Sequence, residues 1–115
     1  MEDDTELTAL DGHAESQLHA AAWSGEIDWA QELINEGAEI NFIDSAGETA
    51  IHGAAAWGKS EMVSFLIKNG ATLDIPGTNE MTPLHWAAGW GNIKTVKVLT
   101  EAGSNVNALD SRGKT

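Results

Sequence analysis

Apolar residues along the chain fall into two alternating kinds of segment. The first kind is short and alanine-rich: Leu18 to Ala22, Ile51 to Ala56 and Leu84 to Ala88. The second carries larger side chains: Trp29, Leu33 and Ile34, then Met62, Val63, Leu66 and Ile67, then Val96 and Leu99. Spacings of three and four residues place such side chains on one face of a helix. Glycines close the segments in fixed register, Gly25, Gly58 and Gly91 after the first kind and Gly37, Gly70 and Gly103 after the second. Glycine there predicts helices that stop in the left-handed conformation. Ahead of each alanine-rich segment stands Ser16, Thr49 or Thr82, and such a side-chain oxygen can cap a free amide of the first turn. Pro83 suits the first helical position, where its missing N–H costs nothing. Turn formers such as Asp44-Ser45-Ala46-Gly47-Glu48 predict a hairpin-like loop between one helix pair and the next.

The pattern is a repeat. Ser16-Gln17-Leu18-His19-Ala20-Ala21-Ala22, Thr49-Ala50-Ile51-His52-Gly53-Ala54-Ala55 and Thr82-Pro83-Leu84-His85-Trp86-Ala87-Ala88 follow one another every 33 residues without a gap. The tails Gly37-Ala38-Glu39-Ile40-Asn41, Gly70-Ala71-Thr72-Leu73-Asp74 and Gly103-Ser104-Asn105-Val106-Asn107 keep the same register. Paired alanines leave room for a second backbone to approach. No single unit can bury its own apolar face, so the units must stack.

These residues resemble the ankyrin repeat, with its Thr-Pro-Leu-His helix start, paired alanines and Gly-Ala-Asp-Val-Asn tail. The resemblance covers residues 11–115 and implies an all-α solenoid of helix-turn-helix units with hairpin-like loops. It divides the chain into an acidic tail (1–10), three repeats (11–43, 44–76 and 77–109) and the start of a fourth (110–115). Unit three fits best, unit two has Ala50 for the proline, and unit one starts on the weaker Ser16-Gln17. The last loop has Gly77 and Glu80 where Asp44 and Gly47 stand in the loop before it, which leaves its shape open. Phe42 stands where the pattern prefers a small residue. The sequence halts at Thr115, the next expected N-cap, and a solenoid needs a polar closing repeat. The expectation is a piece of a longer protein, the rival being a short chain whose third unit is covered by a partner.

Composition narrows the function. With 42% hydrophobic residues the chain can build a core, and with no cysteine it has neither disulfides nor thiolate metal sites. There is no signal-peptide pattern at Met1-Glu2-Asp3-Asp4, and no apolar run long enough to span a membrane. The expected location is the cytoplasm, with a nuclear or effector role left open. Six basic against 18 acidic residues give a net charge of −12. That surface repels nucleic acid and anionic lipid and favours basic partners, although solubility alone would account for it.

Several apparent active-site signals dissolve in the repeat register. The run Ala108 to Thr115 fits a relaxed phosphate-loop pattern, but an ankyrin-like tail precedes it where the chemistry needs a strand. His19, His52 and His85 occur once per unit, so stacking sets them about 8–10 Å apart. Ligands that must each lie about 2 Å from one zinc cannot be so spread. The resemblance implies instead that this histidine bonds near the helix start and the neighbouring loop. Asn41 and Asn107 occupy a family position that is hydroxylated in some animal proteins, and the resemblance favours a loop-stabilising role. No residue is set beside a histidine as a nucleophile or acid–base partner. No catalytic group, metal or cofactor is therefore expected, and catalysis would need a domain beyond Thr115.

Tryptophan stands out, with five residues against no tyrosine and two phenylalanines. Trp29 aligns with Met62 and is expected in the core. Trp57 and Trp90 align with each other at positions that the family leaves variable and turns towards its concave face. Trp86 precedes Trp90 by one helical turn. Trp57, Trp86 and Trp90 are the expected centre of a binding face, with Trp23, Ser24, Ile43, Glu48 and Met81 as its rim. The alternative is that the rings lie flat over Gly53 and Gly89. The favoured function is a monomeric scaffold that binds a protein or peptide, with neither nucleic acid nor membrane as partner. The second is a reader of a cationic group such as methyl-lysine, held by cation–π attraction. Three tryptophans around one cage with a carboxylate beside them would favour the second.

Overall fold

The computed structural model describes residues 13–105, together with Leu109 and Gly113. The expectations for the tail 1–10, Asn107, the phosphate-loop-like run and the fourth unit fall outside the described residues. Six α-helices follow in chain order: α1 His13–Ser24, α2 Ile27–Asn35, α3 Ala50–Ala56, α4 Ser60–Lys68, α5 Pro83–Gly89 and α6 Ile93–Glu101. Among the described residues there is no strand, and no helix is long and apolar enough to cross a membrane. Each odd-numbered helix packs on the even one that follows it. The odd helices stack as an inner row, α1 on α3 and α3 on α5, and α4 packs on α6 behind them.

The alanine pairs explain the close inner row. Ala21, Ala22, Ala54, Ala55 and Ala87 have no exposed surface, and Leu18 and Ile51 fill the gaps between them. Met62, Val63, Leu66 and Leu99 complete the core from the outer row. Truncating one such side chain to alanine costs about 2–5 kcal/mol. Every helix ends the same way. In α1 the Gly25 amide donates to Ala22 O and the Glu26 amide to Ala21 O, with Gly25 at φ +75°. The two bonds satisfy carbonyls that a helix end leaves free, and they require the left-handed residue between them.

Helix starts differ between units. Thr49 and Thr82 are extended N-caps. Their amides donate to Nδ1 of His52 and His85 at 2.9 Å, a capping box with histidine in the usual Glu/Gln place. His52 Nε2 then lies 2.7 Å from Ile75 O in the following loop. With Nδ1 accepting, Nε2 carries the proton, so the ring is neutral and satisfied at both nitrogens. Burial pushes its pKa below the ordinary 6.5.

Unit one departs from the expectations at two places. Ser16 lies exposed inside α1 rather than capping it, because α1 already runs from His13 through Ala14-Glu15, with no proline to break the turn. His19 accordingly turns to the Asp44 carboxylate, 3.4 Å away, with its ring 6.4 Å from that of Phe42. Trp29 is not a core residue. It is 37% exposed where Met62 is 1% exposed. Met62 faces back across a seam to Gly25 and Ile27 of unit one, and the same direction from unit one meets no described helix.

The tails form a ladder. Asn41 Oδ1 accepts the Thr72 amide at 2.8 Å, and Asp74 Oδ1 accepts the Asn105 amide at 3.0 Å. Asn41 also donates to Gly70 O, so its side chain is engaged in joining units, the stabilising role expected of it. Unit one finds its rung within α1, where Glu15 Oε2 accepts the Glu39 amide at 2.6 Å.

Candidate functional site

The inner helices place tryptophans at their C-terminal ends. Trp57 caps α3 and Trp90 caps α5, one unit apart, and Trp86 stands one turn earlier on α5. Together with Trp23, at the end of α1, they line one groove of about 440 Å³. Glu48 and Asn92 complete its polar lining, and Glu48 is the one charged residue among the groove's described walls. Trp57 and Trp90 are each 67% exposed and Trp23 is 48% exposed. Trp86 is half-buried against the core, and its indole nitrogen is buried without a hydrogen-bond partner.

Glycines seat two of the groove's wall residues, Trp23 and Glu48. A Cβ on Gly53 would fall 1.8 Å from Cδ1 and Nε1 of Trp23. Since real side-chain atoms cannot approach so closely, only glycine lets this indole lie against α3. A Cβ on Gly77 would fall 2.8 Å from Glu48 Cγ and 3.2 Å from His52 Nε2. The departure from aspartate at Gly77 therefore gives the stem of Glu48 its place between the two loops. The ring found at Gly53 is that of Trp23, and none of Trp57, Trp86 and Trp90 is among the atoms nearest the missing Cβ there. At Gly89 no described side chain beyond its chain neighbours comes within 4 Å of the missing Cβ, so no ring beyond those neighbours lies over it.

The loops share a frame. In the first, the Asp44 amide donates to Glu48 O, and Asp44 Oδ1 accepts the amides of Ala46 and Glu48. In the second, the Gly77 amide donates to Met81 O, while Glu80 takes the left-handed place of Gly47 at φ +61°. The hairpin-like shape thus survives without the aspartate side chain. Thr78 Oγ1 donates to Ala46 O at 3.1 Å and ties the two loops together.

Of the eight sequence candidates, the structure brings Trp23, Glu48, Trp57, Trp86 and Trp90 to one groove and leaves three outside its walls. Ser24 is exposed, with its hydroxyl turned back to Ala20 O. Ile43 is 52% exposed ahead of the first loop, and Met81 is half-buried at the base of the second. Asn92 and the two glycine seats were missed. The signal was there as breaks in the repeat: Gly53 stands in register with Trp86, Gly77 with Asp44, and Asn92 with Lys59.

A protein-family model described as ankyrin repeats (3 copies) matches residues 18–110. No curated protein matches the chain.

Proposed function

The chain belongs to the ankyrin-repeat family, and on that premise we propose that it is a binding module whose groove between α1, α3 and α5 takes a partner protein or peptide. Ankyrin repeats are generally protein–protein interaction modules. One observation carries the reading: Trp57 and Trp90, two-thirds exposed, share one groove with Trp23 and Trp86. Indoles cover about 150–250 Å² each, and an exposed apolar patch of that kind marks a contact surface. Trp57, Trp86 and Trp90 form its centre, Trp23 and Glu48 its walls, and Ser24, Ile43 and Met81 an outer margin. The unit boundaries at 11–43, 44–76 and 77–109 belong to the same reading. With its excess of acid the chain favours a basic partner.

Selection from a displayed random-peptide library tests the proposal. Enriched peptides should bind the wild type, and Trp57→Ala and Trp90→Ala should lose them by at least about tenfold while melting as the wild type does. Peptides that bind all three proteins equally would place the contact elsewhere.

A second reading, recognition of a cationic group, is favoured by the lone carboxylate of Glu48 in a groove that four indoles line. Each indole face attracts a cation by about 0.5–2 kcal/mol, depending on desolvation. Tetramethylammonium should therefore perturb tryptophan fluorescence in the wild type at concentrations where sodium does not. An equal response to both ions would end this reading.

A further inference from the structure

Two properties change in opposite senses along the stack, and charge is the first. Residues 11–43 hold seven acids and no lysine or arginine, residues 44–76 hold four acids and two lysines, and residues 77–109 hold two of each. The formal charge of the units thus runs from −7 through −2 to zero. Glu26, Asp28, Glu32, Glu36 and Glu39 are all exposed on unit one. Lys59 of unit two brings one positive charge towards that end, since its Cδ lies 3.1 Å from where a Cβ on Gly25 would stand. The acids still outnumber it.

Apolar character rises as the negative charge falls. One register position of the inner row reads Ser24, Trp57, Trp90, and another reads Ala20, Gly53, Trp86. Unit one therefore has small or polar side chains where unit three has two indoles, and its own Trp23 is drawn in against Gly53. Three residues beyond Trp90, Ile93 is 81% exposed, whereas its counterpart Ser60 is buried. A field that varies along the stack steers a charged ligand before contact, and an exposed apolar patch holds it afterwards.

Resting on the peptide-binding reading, we infer that the groove takes an extended peptide in one orientation, its basic residues over unit one and a large apolar residue on Trp90. Packed helices lie about 8–10 Å apart, so two such steps set α1 and α5 about 16–20 Å apart. At about 3.3 Å per residue, an extended chain covers that distance in about five or six residues. The partner segment is therefore one whose basic cluster and large apolar residue stand that far apart in sequence. The same residues intermixed would set apolar side chains among the carboxylates of unit one and leave the exposed indoles without an apolar partner.

Peptides enriched from the displayed library are the probes, titrated calorimetrically onto the full chain. They should carry basic and large apolar residues at opposite ends, and a permuted peptide of the same composition should bind at least about tenfold more weakly. The double variant Glu26→Lys, Asp28→Lys should weaken binding about fivefold at low salt and much less at high salt. Lys94→Glu with Lys97→Glu shifts the net charge by the same amount in the opposite sense, at unit three, and should change affinity by less than about twofold. All four positions are exposed, and melting curves check that each variant folds. Attraction to net charge alone would make the loss and the gain equal, and that result overturns the inference. Should a variant fold poorly, a nitroxide on the basic end of the peptide reads the orientation on the wild type. It should broaden the Gly25 amide signal more than that of Gly91, and equal or reversed broadening overturns the inference. If the peptides need Trp57 and Trp90 but keep their affinity when permuted, the inference fails while the proposed function stands. If no peptide is enriched, both fail together.

Discussion

The two ends of α3 and α5 carry opposite kinds of chemistry. At the N-terminal ends Thr49 and Thr82 cap, His52 and His85 close the box, and all four are buried. At the C-terminal ends Trp57 and Trp90 stand two-thirds exposed, and the Trp86 nitrogen close by has no partner. One end has its polar groups matched within the chain. The other has exposed apolar faces and, beneath them, a buried donor that is unmatched. The same short helix thus serves stability at its start and, in the proposed function, recognition at its finish, and substitutions at the two ends should fail in different ways.

The largest effect is expected at the starts. His52→Ala removes the acceptor of the Thr49 amide and the donor to Ile75 O, and leaves a cavity at a site with no exposure. Chemical denaturation should show a loss of about 2–4 kcal/mol. Trp57→Ala, at the C-cap of the same helix, should change stability by about 0.5 kcal/mol or less, as exposed substitutions do. Comparable losses from the two would erase the contrast.

Gly53→Ala sharpens the comparison, because it acts from inside α3 on the groove. The added methyl cannot coexist with the Trp23 indole 1.8 Å away, so the ring must leave. Overpacking of this kind costs about 1–3 kcal/mol. Because Trp23 is already half exposed, the cost should fall at the low end, with a red shift of tryptophan emission as its sign. An unchanged spectrum would mean that Trp23 does not depend on the glycine.

Much of this was legible in the residues. The glycine register, the Thr-x-x-His starts and the alanine pairs are local signals whose meaning needs nothing beyond their own unit, and the stack follows from them. Legible too was the gathering of Trp57, Trp86 and Trp90, since one helical turn and one repeat period fix their relation. What failed depended on neighbours. Trp29 reads as core by alignment with Met62, but burial there needs a unit in front. Ser16 reads as a cap, but α1 begins earlier. The seats at Gly53 and Gly77 could not be read either, because each exists only through a side chain from another unit, Trp23 in one case and Glu48 in the other.

Acid should weaken the helix starts. The folded chain holds His52 neutral by burial, below its ordinary 6.5, while the unfolded chain protonates it near that value. Below pH 6.5 the unfolded state therefore binds more protons, and stability falls with pH through the window down to the lowered folded value. The contribution is fully present above 6.5. Melting curves of the wild type and His52→Gln between pH 7.5 and 5 isolate it, since the remaining groups are common to both. The gap between the two should narrow on acidification. A constant gap would show that His52 is protonated as readily in the folded chain as in the unfolded one.

The smallest effect lies in the second loop. Asn79 and Glu80 both have positive φ, +56° and +61°. Asparagine visits that region at modest cost because its side chain can bond locally, whereas a glutamate Cβ crowds the backbone there. The first loop has Gly47 at the matching position, at φ +83°. The second loop therefore holds strain that the first avoids. Glu80→Gly should relieve it, but glycine also gives the unfolded chain more freedom. The net gain should be about 0.5–1 kcal/mol, small yet positive. Glu80 is exposed and is not among the groove's walls, so ligand affinity should stay as it was. A higher melting temperature with unchanged affinity is the expected result. A gain in stability that came with lost affinity would instead mean that the strained turn itself touches the partner, and the contact surface would then extend from the groove along the second loop.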